Sequence, residues 1–202
     1  MSHNLKLIVL DRDGTINIDR DDYVKSASEW EPIPGALEAI ARLNHAGWRT
    51  VIATNQSAIG RGIFDMSTLN EMHAKMNSLL FKLGGRIDAI FFCPHAPSDG
   101  CDCRKPKPGL FKQIGERFSV DMTQVPMVGD SLRDLQAGAA VGSPLHLVRT
   151  GKFGGMTDAA TTEALKLLPP LEIHDDLSEF AEFIISRERA LREPTGTPDS
   201  EY

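Results

Sequence analysis

Short apolar runs alternate with amphipathic stretches along most of this chain. Compact runs of mainly aliphatic residues predict buried β-strands at Lys6–Leu10, Arg49–Ala53, Ile87–Phe92, Val125–Val128 and Leu145–Val148. Apolar residues at helical spacing predict helices from Pro34 to Gly47, from about Leu69 to Leu83, around Leu110–Phe118, from Leu132 onward, and through Leu177–Ile184. Because strands that alternate with helices imply right-handed crossovers, we predict a doubly wound α/β fold with a mostly parallel sheet.

The limits of the fold follow from the same pattern. Residues 1–192 carry all the periodic segments and are interpreted as one domain. The stretch after Thr15 and the stretch between the second and third strands are too short for a large inserted cap domain. Residues 193–202 have almost nothing to bury, so we predict a disordered tail there.

Composition and charge narrow the class of protein. The chain has 202 residues, 41% of them hydrophobic, which suits one globular domain with a sizeable core. Its apolar runs are far shorter than the ~20 residues of a membrane span. With a net charge of -6 and no block of Lys and Arg, it has no surface suited to nucleic-acid phosphates. We therefore expect a cytoplasmic monomer that binds a small molecule and neither a membrane nor a nucleic acid.

Acidic side chains stand where predicted strands end. Asp11 and Asp13 follow the first strand, and their spacing in an extended chain places both on the same side. Asp130 follows the fourth strand, and ligands bind at this edge of a parallel sheet. Close carboxylates repel each other unless a cation lies between them, and a few carboxylates completed by water suit Mg²⁺. The position after an apolar strand favours a magnesium site over a solvated acidic turn.

All three cysteines lie in one loop. Cys93, Cys101 and Cys103, together with His95, supply the three thiolates and one imidazole of a tetrahedral structural zinc site. The cysteine and histidine spacing is shorter than in common zinc fingers, so spacing alone favours zinc and three buried or free thiols about equally. The presence of every cysteine in the cluster favours zinc, acting as a staple rather than a catalyst.

Four ordered motifs resemble those of the haloacid dehalogenase superfamily of phosphohydrolases, over the stretch from Leu5 to about Val148. They are Asp11-Arg12-Asp13-Gly14-Thr15, Thr54-Asn55, a lysine within Arg104-Lys105-Pro106-Lys107-Pro108-Gly109, and Gly129-Asp130 followed by Asp134. Each motif is weak alone, but the four in this order are specific. The resemblance implies a Rossmann-like fold and a Mg²⁺-dependent phosphomonoesterase.

The resemblance also implies roles for individual residues. Asp11 would attack phosphorus to form an aspartyl-phosphate, and Asp13 would serve as general acid and base. Mg²⁺ would be bound by Asp11, by the backbone carbonyl of Asp13 and by Asp130. Thr54 and a lysine would stabilise the phosphoryl oxygens.

Two lysines compete for that last role. Lys105 is favoured, because in the histidinol-phosphatase-like branch of the superfamily an Arg-Lys pair after the last cysteine recognises substrate and stabilises the phosphoryl group. In this chain that pair is Arg104 and Lys105. Lys107 is predicted to lie beside the next helix start, with Pro108 at an early helical position. Further substrate contacts are predicted at Asp19, Arg20, Asp21, Asp22, Asn55, Gln56 and Ser57.

Within that branch the chain most resembles the heptose 1,7-bisphosphate phosphatases. The similarity lies in Ile16–Asp19, Glu31–Gly35, Thr54–Gly62 and Cys103–Gly109. It implies removal of the 7-phosphate of D-glycero-D-manno-heptose 1,7-bisphosphate, on the route to ADP-heptose and lipopolysaccharide core. Ala58 and Ser131 depart from the pattern, since glycine is common at the first position and some members carry lysine at the second. Arg61 is interpreted equally well as a substrate contact or as a solvated charge.

Other functions stay open at this point. Histidinol-phosphate phosphatases usually have the same zinc loop. A receiver-type signalling domain also forms an aspartyl-phosphate on a flavodoxin-like sheet, but it has no use for a general acid such as Asp13. A nucleic-acid 3′-phosphatase is disfavoured by the net charge of -6. A zinc-stapled binding module without catalysis is disfavoured by the intact acidic motifs.

Overall fold

The fold is built on a six-stranded sheet. A computed structural model describes residues 5–152 and 159–192 of the chain. Its strands are β1 (Leu7–Leu10), β2 (Arg49–Asn55), β3 (Ala89–Cys93), β4 (Met127–Gly129), β5 (Leu145–Val148) and β6 (Leu171–His174). They are ordered β3-β2-β1-β4-β5-β6, and every neighbouring pair is parallel. The predicted doubly wound α/β class is therefore confirmed.

Helices connect the strands and cover the sheet. They are α1 (Ala36–His45), α2 (Ser57–Gly60), α3 (Met66–Lys82), α4 (Gly109–Phe118), α5 (Leu132–Ala139), α6 (Ala159–Lys166) and α7 (Leu177–Arg192). The side chain of Asp65 caps α3 by accepting a bond from the Thr68 backbone N–H at 2.9 Å. Beyond the helix end, Gly84 has a φ of +74°, a conformation that favours glycine. Capping aspartate and terminal glycine are the local signals that sequence patterns associate with helix ends.

The central strand β1 shows how the core is divided between two faces. All four of its residues are fully buried. Leu7 and Val9 pack in the cluster that includes residues of α4 and α5. Ile8 and Leu10 pack in the cluster that includes residues of α1, α3 and α7. Because both faces of β1 are covered, it has a continuous apolar sequence instead of an alternating one.

Several elements differ from the prediction. The bounds of β2, β3 and β4 shift by up to two residues, and β2 includes Thr54 and Asn55. The short helix α2, helix α6 and strand β6 were not predicted. Helix α2 has four residues, too few for a periodic pattern, and β6 is an edge strand with two exposed residues among its four.

The segment between β2 and β3 is a crossover and not a cap domain. Leu69 and Met72 of α3 are fully buried in the core cluster that covers one face of the sheet. No helix among the described residues is long and apolar enough to cross a membrane. The predicted tail at 193–202 lies outside the described residues.

Two buried histidines join the last two strands. His146 Nδ1 of β5 lies 3.1 Å from His174 Nε2 of β6, and both rings pack on Phe180. Burial, with a smaller effect from the neighbouring His174, lowers the pKa of His146 to about 3. His146 is therefore neutral in the folded protein at pH 7. In the unfolded chain it binds a proton below its ordinary pKa of about 6.5.

This difference makes folding depend on pH. Because the unfolded state binds the extra proton, we expect the free energy of unfolding to fall as the pH drops from about 6.5 toward 3. His146→Leu should make this fall shallower by up to about 1.4 kcal/mol per pH unit. Val148→Ala, a core change on the same strand that removes no titrating group, should lower stability without changing the slope. Urea unfolding between pH 4 and 7 tests this, and equal slopes in the wild type and His146→Leu would contradict it.

Candidate active site

The predicted site residues follow strands that are neighbours in the sheet. In the register of β1, Leu10 lies beside Ile52 of β2 and beside Val128 of β4. Asp11 follows β1 directly and Asp130 follows β4 directly, while Thr54 and Asn55 end β2. Since the strands are parallel, their carboxyl ends bring these side chains to one edge.

Lys105 lies at the centre of this edge. Its ammonium Nζ donates to Asp11 Oδ1 at 2.8 Å and to the Ala53 carbonyl at 2.6 Å, and it lies 2.7 Å from Asp134 Oδ1. The side chain is only 2% exposed, so the two carboxylates keep the ammonium charged inside the protein. Despite burial, Asp11 and Asp134 raise the pKa of Lys105.

Three buried carboxylates lie together at this edge, and two of them contact that ammonium. Asp11, Asp130 and Asp134 each offer an oxygen, and these atoms all lie within 4.8 Å of one another. Burial and the charge of Asp134 raise the pKa of Asp11 to about 6. Burial and the charges of Asp134 and Asp11 raise the pKa of Asp130 to about 8. One ammonium does not balance three ionised carboxylates, so the cluster suits a divalent cation as well.

The surrounding backbone fits a small ion as well. A Cβ at Gly14 would lie 2.3 Å from Asp130 Oδ2, and one at Gly151 would lie 2.0 Å from the same atom. Both positions therefore require glycine, which lets the chain pass close to the carboxylates. Hard oxygen donors in a confined polar site are the ligands that Mg²⁺ prefers, so the residues present fit this ion.

Asp13 is held apart from the other carboxylates. Arg12 donates to it at 2.9 Å, Asn17 at 2.9 Å and Gln56 at 2.7 Å. Burial by itself would raise the pKa of Asp13, but Arg12 and these hydrogen bonds hold that pKa below its usual range. Arg12 is itself 1% exposed and lies 3.3 Å from His73 Nε2. The general acid–base candidate is thus fixed in place by a buried network.

Two residues at the carboxyl end of β2, Asn55 and the following Gln56, bond to neighbouring segments. Asn55 donates to the Lys105 carbonyl and accepts from the Lys105 N–H, both at 3.1 Å. These two bonds hold the lysine loop, and the predicted substrate contact of Asn55 stays a prediction. Gln56, also predicted to contact substrate, donates to Asp13 and Thr54 and accepts from Arg12. Sequence reasoning did not find either role, because both depend on contacts between distant segments.

The predicted substrate residues divide into two sets. A cavity of about 350 Å³, called the main cavity below, is lined by Asp11, Asp13, Lys105 and Asp130. The predicted contacts that also line it are Asp19, Arg20, Asp21, Asn55, Gln56, Ser57 and Arg104. Asp22 is not among its lining residues, and its carboxylate accepts from Lys25 Nζ at 2.6 Å. Asp22 therefore lies outside the lining of the main cavity, and its contact with substrate stays a prediction.

The cysteine loop brings four metal-ligand atoms together. The three sulfur atoms lie 3.3–3.6 Å apart, and His95 Nδ1 lies 3.2 Å from Cys103 Sγ and 3.5 Å from Cys93 Sγ. Tetrahedral zinc with Zn–S bonds of about 2.3 Å requires sulfurs about 3.8 Å apart, so the cluster is close to that size. Burial and the nearby Cys103 raise the pKa of Cys93 to about 12, so a thiolate there needs a cation. These residues fit zinc better than three separate thiols.

The same loop positions the Arg-Lys pair. Arg104 Nη1 donates to the His95 carbonyl at 3.4 Å, and Gly60 N–H donates to the Pro94 carbonyl at 2.9 Å. Lys107 Nζ donates instead to the Cys101 carbonyl at 2.9 Å and to Asp102 Oδ1 at 3.2 Å. Of the two lysines, only Lys105 contacts Asp11 in the structure.

Asp134 is the site residue to which the sequence reasoning gave no role. Its Oδ2 accepts from the Ser131 hydroxyl at 2.6 Å and from the Ser131 N–H at 3.0 Å, and so caps α5. Its other oxygen contacts Lys105. The spacing Ser131-x-x-Asp134 is a helix-start signal that could have located it.

Comparisons with known proteins agree with this geometry. Residues 10–142 match the haloacid dehalogenase-like hydrolase family. The chain belongs to that family. This match confirms the family resemblance that the four motifs predicted.

Relatives from this family align with most of the chain. The D-glycero-beta-D-manno-heptose-1,7-bisphosphate 7-phosphatase of Bordetella bronchiseptica is 57% identical over 147 residues, covering 73% of this chain and 82% of the relative. The Neisseria meningitidis serogroup B protein of the same name is 48% identical over 186 residues, 92% of this chain and 98% of the relative. The crystal structure of D,D-heptose 1,7-bisphosphate phosphatase from B. bronchiseptica, complexed with magnesium and phosphate, has a TM-score of 0.85 at 50% identity. That alignment covers 91% of this chain and 99% of the other.

The cysteine cluster generates a prediction about stability. We expect purified protein to carry about one zinc per chain, and Cys101→Ser to lose it, because a hydroxyl is a poor zinc ligand. Loss of the staple should lower the melting temperature by roughly 5 °C or more. Ser98→Ala, a change in the same loop that leaves all four ligands, should keep both zinc and stability. Metal analysis measures the zinc content, and thermal unfolding measures the melting temperature. Wild-type protein without zinc, together with a Cys101→Ser variant that melts at the wild-type temperature, would contradict the prediction.

Proposed function

We propose that the protein is a Mg²⁺-dependent phosphatase that removes the 7-phosphate of D-glycero-beta-D-manno-heptose 1,7-bisphosphate. The observation that carries the proposal is the contact between buried Lys105 and Asp11, beside two further carboxylates and the tethered Asp13. This arrangement suits transfer of a phosphoryl group to a carboxylate. Relatives that share 48–57% of aligned residues carry the name of the heptose enzyme. They favour this substrate over histidinol phosphate.

The first chemical step uses Asp11 as nucleophile. One carboxylate oxygen of Asp11 forms a bond to phosphorus while the bond between phosphorus and the oxygen on C7 breaks. The leaving oxygen takes a proton from Asp13 and departs as the sugar hydroxyl. Asp13 is a carboxylate in the free enzyme because Arg12 lowers its pKa, and an incoming phosphate dianion would raise that pKa toward protonation.

The second step regenerates the enzyme. Asp13, now a carboxylate, accepts a proton from a water molecule, whose oxygen bonds to phosphorus. The bond between phosphorus and Asp11 then breaks and inorganic phosphate leaves. Gln56 and Asn17 keep Asp13 in one place through both proton transfers.

Charge on the phosphoryl oxygens is stabilised by fixed groups. Lys105 presents its ammonium beside Asp11, which follows β1. Thr54 offers a hydroxyl near the carboxyl end of the neighbouring strand β2. Asp11, the backbone carbonyl of Asp13 and Asp130 would hold Mg²⁺, with Asp134 beside them. When bound, this ion supplies positive charge that offsets the repulsion between the nucleophile and the phosphate.

Arg104 is suited to the far end of the substrate. Its guanidinium lines the main cavity beside the cysteine loop, and guanidinium groups bind phosphate through two hydrogen bonds. A zinc staple in that loop would hold Arg104 and Lys105 in register with each other. The structural metal would thus act on binding geometry and not on the chemistry.

Substrate choice is tested by phosphate release with Mg²⁺. Heptose 1,7-bisphosphate, histidinol phosphate, fructose 1,6-bisphosphate and a 3′-phosphorylated oligonucleotide would be compared on the purified protein. We expect the highest kcat/KM for the heptose ester. A preference for histidinol phosphate would keep the catalytic assignments but reject the proposed substrate, and no release from any ester would reject the phosphatase assignment.

The nucleophile assignment is tested by Asp11→Asn. An amide is a poor nucleophile and a weaker ligand for Mg²⁺, so kcat should fall by at least about a thousandfold. Glu116→Gln, which makes the same carboxylate-to-amide change at an exposed position of α4, should leave kcat unchanged. Circular dichroism would check that both variants fold. Phosphate release by Asp11→Asn at the wild-type rate would contradict the mechanism.

A further inference from the structure

The basic side chains that line the main cavity differ in whether they have a carboxylate partner. Four have one. Arg12 pairs with Asp13, Arg20 with Asp22, Lys105 with Asp11 and Asp134, and Lys152 with Asp19. The Arg12 and Lys105 pairs are buried and the Arg20 and Lys152 pairs are exposed, but each of the four cations already faces a carboxylate.

The remaining three cavity arginines have no such partner among the described residues. These are Arg61, Arg104 and Arg133, and no described carboxylate lies within ion-pair distance of them. Arg61 and Arg133 are exposed and Arg104 is half-buried. An unpaired guanidinium on a cavity wall is a ready site for an anion, since it presents several donors in one plane.

Arg104 and Arg133 differ from Arg61 because they also line a second cavity. This side cavity, about 380 Å³, adjoins the main cavity, and both Arg104 and Arg133 line the two cavities together. Arg61 lines the main cavity alone. None of the described residues that line the side cavity carries a carboxylate, and its other exposed cation, Lys107, is paired with Asp102. The side cavity is therefore lined by two arginines that have no carboxylate partner among the described residues.

The charge of these two arginines matches one phosphate. A phosphate monoester carries nearly two negative charges at neutral pH, and two guanidinium groups balance them. Arg133 lies in the first turn of α5, next to the site residues Asp130 and Asp134. That turn is fixed by the Ser131–Asp134 cap, so a phosphate bound by Arg133 is held in a set relation to the reacting centre.

We infer that the side cavity seats the second phosphate of a bisphosphate substrate and that Arg133 binds this phosphate together with Arg104. The inference rests on the proposed function and adds to it a second phosphate-binding residue and the place where that phosphate lies. Selection of bisphosphates over monophosphates is then a property of the α5 start and the cysteine loop acting together.

The test is to compare two substrates with Arg133→Ala. Heptose 1,7-bisphosphate and heptose 7-phosphate share the reacting ester but differ in the second phosphate. We expect Arg133→Ala to lower kcat/KM for the bisphosphate by roughly tenfold or more, mainly through KM. For the monophosphate the change should stay within about threefold, because the contact that is lost does not exist there. Arg133→Lys, which keeps the charge but loses the two-point contact, should fall in between.

Matched arginine variants complete the design. Arg117→Ala removes an exposed arginine of α4 that lines neither cavity. It should leave kcat/KM unchanged for both substrates. Arg61→Ala removes the unpaired arginine that lines only the main cavity, and should leave the preference for the bisphosphate in place. Loss of that preference in Arg61→Ala, but not in Arg133→Ala, would overturn the inference and assign the second phosphate to the other wall.

The outcomes separate this inference from the proposed function. Suppose that the wild type hydrolyses the bisphosphate and that Arg133→Ala lowers kcat/KM equally for both substrates, or for neither. The side-cavity inference is then wrong, while the phosphatase assignment stands. If the wild type hydrolyses neither heptose ester, the proposed function is wrong. A loss in Arg133→Ala that is confined to the bisphosphate supports both.

Discussion

The ammonium of Lys105 is the interaction on which the rest of the site depends. It is buried between Asp11 and Asp134 and also donates to the backbone of β2. A buried ammonium is stable only with such partners, and three buried carboxylates are stable only with a cation among them. The lysine loop, β1 and the start of α5 must therefore adopt their places together. Asn55 completes this coupling by bonding the backbone of Lys105 on both sides.

Much of the fold was predictable because its signals are local. Helix α3 has an Asp65 cap and a glycine stop, and β5 is an apolar run with the predicted bounds. Strand β6 was missed because an edge strand is half-exposed and lacks a continuous apolar run. Short helix α2 was missed because four residues show no periodicity.

The candidate site was predictable in its residue types but not in its contacts. The order of the motifs identified Asp11, Asp13 and Asp130, and the Arg-Lys pair favoured Lys105 over Lys107. The structure brings Asp11, Asp13, Lys105 and Asp130 to one cavity. The sequence could not reveal that Arg12 and Gln56 hold Asp13, or that Asn55 holds the lysine loop. These contacts join segments more than forty residues apart, and their partners depend on the sheet order.

The cysteine loop links stability to recognition. It has little core of its own, yet it carries Arg104 and Lys105 and forms a wall of both cavities. A structural zinc there would fix the distance between the phosphoryl-binding lysine and the arginine at the far end of the substrate. With zinc bound, the cysteine loop, the buried lysine and the α5 start would form one frame around the proposed sugar bisphosphate.

The central claim is that phosphate passes through Asp11. The most direct measurement is acid quenching of the protein during turnover of heptose 1,7-bisphosphate, followed by borohydride reduction and peptide mass spectrometry. Reduction converts an aspartyl-phosphate to homoserine, so the account predicts homoserine at position 11 and at no other acidic residue. Turnover without homoserine at position 11, or with homoserine at Asp13 or Asp130, would contradict it.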